Sequence, residues 1–146
     1  MDNLSKTGVW LNRIILITVS GLFIMIGLRN ILHPAEAANK VNIILNSATA
    51  LSVARVSMGA FPLGFAILIL TAVFLNNHLL SGIYAVFILL LITTITRIVS
   101  LQLDGHSGFG QMVLVPELII TLLSATGLYL ELRRRKLNKD KISRLQ

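Results

Sequence analysis

Cysteine is absent from all 146 residues. That removes disulfides, thiolate nucleophiles, iron–sulfur clusters and cysteine-type zinc sites. Charge is nearly as scarce, at 13% Asp, Glu, Lys and Arg against roughly 25% in a soluble domain. Short catalytic signatures are missing too: no HExxH, GxSxG or phosphate-loop pattern occurs, which argues against metalloproteases, serine hydrolases and nucleotide enzymes. No metal site or cofactor is expected from these residues. The chain also lacks a convincing internal repeat and the alternating segments of about 10 residues that mark transmembrane strands.

What the chain has in abundance is uninterrupted apolar sequence, with 55% hydrophobic residues and a mean hydropathy of +0.81. Four spans of about 20 residues each would cross ~30 Å of hydrocarbon and use most of this length. The expected fold is all-α, a bundle of four transmembrane helices within one domain over residues 1–137, followed by a basic tail over 138–146 that is expected to be mobile. The spans are placed at about 9–32, 48–75, 79–102 and 112–132. His33-Pro34 ends the first, because proline disfavours helical geometry in the residue before it. Ala35 to Leu45 is then expected to form a short interfacial helix. Asn46, Ser47 or Thr49 can cap the second span, Pro62 should bend it, and Asn76-Asn77-His78 suits a tight helical hairpin.

Lys6, Arg13 and the block Ile14 to Leu28 have the outline of a signal peptide, with Ala35-Glu36-Ala37 as an A-x-A-like site; an uncleaved first span is expected. The formal net charge of +7 does not point to nucleic acid. Its basic residues gather at the C-terminus as Arg133, Arg134, Arg135, Lys136, Lys139, Lys141 and Arg144, as Lys and Arg do in cytoplasmic segments. Both termini are therefore expected inside, with the 32–47 and 103–111 connections outside.

Among the acidic residues, Asp2, Glu131 and Asp140 read as terminal, and Glu117 as intramembrane. It lies about five residues inside the fourth span, or roughly 7 Å at 1.5 Å per residue. Arg97 and Arg55 lie at a similar depth in the third and second spans. An unpaired charge in hydrocarbon costs several kcal/mol, so such residues face the bundle interior, pair, or snorkel to the interface. Glu117 is expected to pair with Arg97 or Arg55. Ser52, Arg55 and Gly59, then Thr93, Arg97, Ser100 and Asp104, then Glu117, Thr121 and Ser124, recur at three and four residues, one polar stripe per helix. The candidate site is Arg55, Arg97, Ser100, Asp104, His106 and Glu117, with His106 as a titratable neighbour and the glycines at 105, 108 and 110 as a candidate anion nest.

Arg55-x-x-x-Gly59-x-x-Pro62-Leu63-Gly64, Arg97-x-x-Ser100-x-x-x-Asp104-Gly105 and Pro116-Glu117-Leu118 together resemble the small bacterial membrane family called domain of unknown function 4345. The resemblance covers the second to fourth spans. It implies a four-helix fold with a shared polar site in a bacterial inner membrane, similar in architecture to DoxX-like proteins, some of which are associated with quinone-linked redox systems or membrane assembly. It implies no activity.

Three functions follow as expectations. The first is a non-enzymatic membrane protein whose outer cavity binds an amphiphile, lipid or quinone, or docks a partner membrane protein, since arginines hold phosphate or carboxylate heads while apolar walls accept a tail. The second is an intramembrane enzyme with Glu117 or Asp104 as acid or base. The third is proton or ion movement, for which Thr18, Ser20, Thr71, Tyr84, Thr121 and Ser124 form a discontinuous path. Ala60-x-x-x-Gly64 is a helix-contact candidate that leaves oligomeric state open.

Overall fold

The computed structural model describes residues 3–75, 78–103 and 108–143. Its elements are α1 (Asn3–Leu32), α2 (Pro34–Asn39), α3 (Ala48–Ala54), a π-helical segment (Arg55–Ala60), α4 (Phe61–Phe74), α5 (Leu79–Leu103) and α6 (Gly108–Ser143). Among the described residues there is no strand. Four stretches are long and apolar enough to cross a bilayer: Thr7–Leu32, Ala48–Phe74, Leu79–Leu103 and Gly108–Leu137. The protein is an all-helical, multi-pass membrane protein.

Local chemistry sets the helix ends. Pro34 opens α2 at its first turn, where a missing N–H costs nothing. The expected interfacial helix is shorter than 35–45, because the chain turns after Asn39 and Asn42 adopts φ 60°, a left-handed conformation that Asn tolerates. Ser47 is the cap of the second span: its hydroxyl accepts from Ala50 N at 3.1 Å. Further along, Pro62 has no N–H to give the carbonyl four residues back and its ring crowds that carbonyl. The helix answers with π-type spacing over Arg55–Ala60, and Phe61 N–H donates to Val56 O, five residues back. Such a bulge keeps backbone groups satisfied where no water can reach them.

At its far end α6 does not stop near residue 132. It continues helical to Ser143, because Leu, Arg and Lys are good helix formers and cations in the last turns suit the helix dipole.

Helix α1 is central. Its Ile15, Leu16 and Val19 join Ile69 and Val73 of α4 and Leu79, Ile83, Val86 and Leu90 of α5 in one buried cluster. The most extensive pairings are α1 with α4 and α5 with α6, while α1 also packs on α6. Helix approach depends on glycine. A Cβ on Gly59 would lie 2.7 Å from Ile31 Cγ1, and one on Gly27 would lie 2.9 Å from Gly59 O, so these two glycines let α1 and the second span nearly touch backbones. Gly82 does the same against Ala72, whose Cβ would be 2.6 Å from an added Cβ. Gly64, by contrast, has nothing within 4 Å of such a Cβ, so the Ala60-x-x-x-Gly64 pair makes no contact inside the bundle at its glycine. Large apolar side chains such as Trp10, Ile14, Phe61, Leu68 and Leu122 point outward, each at least half exposed, which suits a lipid-facing surface.

Candidate functional site

Antiparallel α5 and α6 bring their polar stripes together. Arg97 Nε donates to Glu117 Oε2 at 2.6 Å and Nη2 donates to Oε1 at 2.7 Å, a two-point fork that matches guanidinium to carboxylate geometry. The two side chains are 25% and 15% exposed. One turn deeper, Thr121 Oγ1 donates to Glu117 O at 2.7 Å. Its proton is thereby committed, so in the 3.1 Å contact between the Thr94 and Thr121 hydroxyls Thr94 is the donor. Ser124, fully buried, donates to Thr121 O at 2.8 Å. The result is a polar seam between the two helices in which each polar group finds a partner, as hydrocarbon requires.

Arg55 does not join it. The π segment that carries it packs against α1, α3 and α4, the residue is exposed, and no ion pair of its guanidinium occurs among the described residues. Equal spacing from helix ends put Arg55, Arg97 and Glu117 at one depth, but the bundle gathers only the last two. Ser100 is exposed, one turn beyond Arg97 on α5. Asp104, Gly105 and His106 lie outside the described residues. Gly108 and Gly110 are helical, in the first turn of α6 rather than in a loop nest. Gly59, placed on a polar stripe by its spacing, is a packing residue. Among the described residues no three His, Asp or Glu side chains gather as a metal site.

A second polar centre occupies the other end of the bundle. Glu131, read from the sequence as terminal, has a fully buried side chain; its Oε1 accepts from Arg134 Nη2 at 2.6 Å and Arg135 Nε at 3.2 Å. One turn away, the buried Asn12 of α1 donates through Nδ2 to Gly127 O at 3.1 Å. A Cβ on Gly127 would collide with Asn12 Oδ1. Glu131 Oε2 and Asn12 Oδ1 are buried and accept no hydrogen bond among the described residues. A signal for this centre was present: continuing the Glu117, Thr121, Ser124 stripe by three and four residues reaches Glu131. Its adjacency to a run of arginines masked it.

A family model described as Domain of unknown function (DUF4345) matches residues 11–128. The chain belongs to the DUF4345 family. The DUF4345 match takes in Arg55, Gly59, Arg97, Ser100 and Glu117, and stops at Leu128, short of Glu131 and the basic part of α6. No curated protein and no solved structure matches the chain.

Proposed function

We propose that this DUF4345 chain is a non-enzymatic membrane protein that holds an amphiphile with an anionic head through Arg55. One observation carries the reading: of the two arginines deep in the apolar spans at this end, Arg97 is spent on Glu117 in a two-point bond, while Arg55 is exposed. A guanidinium within hydrocarbon reach finds an anion or snorkels. It stands seven residues beyond Ala48, about 10 Å along the helix at 1.5 Å per residue, which is the depth of a headgroup boundary. The head would be a lipid phosphate or a carboxylate, and the orientation consistent with the basic C-terminal helix has both termini in the cytoplasm. Enzymatic use of Glu117 is disfavoured because both of its oxygens are bonded to Arg97.

The test is a thermal-shift series in which the parent and Arg55→Gln are titrated with anionic and zwitterionic lipids. Ligand that binds only the folded state stabilises it by mass action. The parent is expected to gain stability from the anionic lipid, and the variant to keep the parent's unliganded stability while losing that gain. A destabilised variant with an unchanged lipid response would overturn the assignment.

A second reading, proton movement, is favoured by the side chains of Glu117, Thr121, Ser124 and Glu131, which share one face of α6. It is opposed by their bonding: Thr121, Ser124 and Ser20 donate to backbone carbonyls, and Thr18, Thr71 and Tyr84 are exposed. Proton flux into dye-loaded liposomes decides it. Flux equal to protein-free vesicles rejects it.

A further inference from the structure

The run Arg133-Arg134-Arg135-Lys136 is divided by the helix that carries it. Arg134 and Arg135 turn inward to the buried Glu131, while Arg133 and Lys136 line a groove of about 540 Å³ with Tyr129, Leu132 and Leu137. Asp140 also lines it, so its charged walls carry two cations and one anion, a net charge of +1.

The groove borders an apolar cleft. Leu132 is shared with a second, apolar cleft of about 330 Å³ between α5 and α6, formed with Leu128, Leu80, Ser81 and Tyr84. Leu128, Leu132 and Lys136 follow one another at four-residue steps along one face of α6, about 12 Å from first to last at 1.5 Å per residue. Read along that face, an apolar slot leads outward to a cationic rim.

We propose that these two neighbouring cavities, which share Leu132, are a binding site for one acidic phospholipid, its monoanionic phosphate on Arg133 and Lys136 and an acyl chain over Leu132 into the cleft beside Leu128 and Tyr84. Charge complementarity selects the occupant: a net +1 rim matches a single phosphodiester, and the phenol of Tyr129 has the amphipathic character favoured at the headgroup level. Glu131 serves the site indirectly, because by engaging Arg134 and Arg135 it leaves Arg133 and Lys136 facing the groove. The site lies at the opposite end of the bundle from Arg55, its cationic rim falls beyond the family match while the apolar cleft lies largely within it, and it stands or falls independently of the function proposed for Arg55.

The experiment uses the full chain reconstituted in equimolar phosphatidylglycerol and phosphatidylcholine, extracted gently and weighed by native mass spectrometry. The parent should retain one phosphatidylglycerol in preference to phosphatidylcholine. Arg133→Gln with Lys136→Gln should weaken that retention roughly 30-fold, the effect of losing two surface cations from a lipid site. Lys139→Gln with Lys141→Gln removes the same charge from the same helix and should change it by less than about threefold. Ser81→Trp fills the apolar cleft, leaves every charge in place, and should also weaken retention. Unchanged melting of each variant in phosphatidylcholine alone confirms an intact fold. Equal losses in the two charge variants would reduce the effect to bulk attraction and overturn the site, as would full retention in Ser81→Trp or displacement of the lipid by inorganic phosphate.

Discussion

Replacing Arg97 by Met and Glu117 by Gln, singly and together, probes the seam between α5 and α6 most directly. The pair is bonded at 2.6 and 2.7 Å with side chains only 25% and 15% exposed. Arg97→Met strands the Glu117 carboxylate against apolar surroundings, and a stranded intramembrane charge costs about 3 kcal/mol on insertion scales. Glu117→Gln leaves Arg97 with one amide oxygen to bond, so its cost should be smaller, about 2 kcal/mol. The double replacement strands nothing and removes a pair whose own net worth is small, so it should cost about 1 kcal/mol. The implied coupling is roughly 4 kcal/mol, above the usual range of about 0.5–3 for contacting residues, and partial solvation of the pair should bring it down into the upper part of that range. Reversible unfolding in mixed micelles, run as a double-mutant cycle, measures it. A coupling within about 0.5 kcal/mol of zero, where independent sites fall, would refute the reasoning: the fork would then be geometry without energetic consequence.

Three further outcomes are expected. Gly127→Ala should destabilise by about 1–3 kcal/mol through overpacking, and adding Asn12→Ala should recover part of the loss, because Asn12 Oδ1 is the atom that the new methyl meets; melts that show no recovery would contradict the contact. Glu131→Ala should cost about 3–5 kcal/mol in the same unfolding assay, as removing one partner of a buried pair does, whereas a terminal, solvated glutamate would cost nearly nothing. Ser107→Cys, in a chain with no other thiol, should react with membrane-impermeant maleimide added to intact cells; labelling only after permeabilisation would reverse the proposed topology.

The number of spans was legible in the sequence, because bilayer thickness demands about 20 apolar residues per crossing and few charges interrupt these runs. Helix starts were legible to within a residue or two where a side chain acts on its own backbone, as at Pro34 and at Ser47, which was one of three candidate caps. So was the need for Glu117 to find an arginine. Which arginine it finds was not, since spacing from a helix end gives depth but not azimuth or neighbour. That choice belongs to the packing: Gly27 and Gly59 draw the second span, with Arg55, against α1, and α5 closes on α6 to bring Arg97 to Glu117. The same contacts explain why Glu131 was misread. A glutamate beside three arginines looks solvated along the chain, and only the approach of α1, carrying Asn12 to Gly127, encloses that end of α6. Local chemistry along the chain wrote the helices; long-range contact between helix faces, at separations no periodicity reports, decided which polar groups meet.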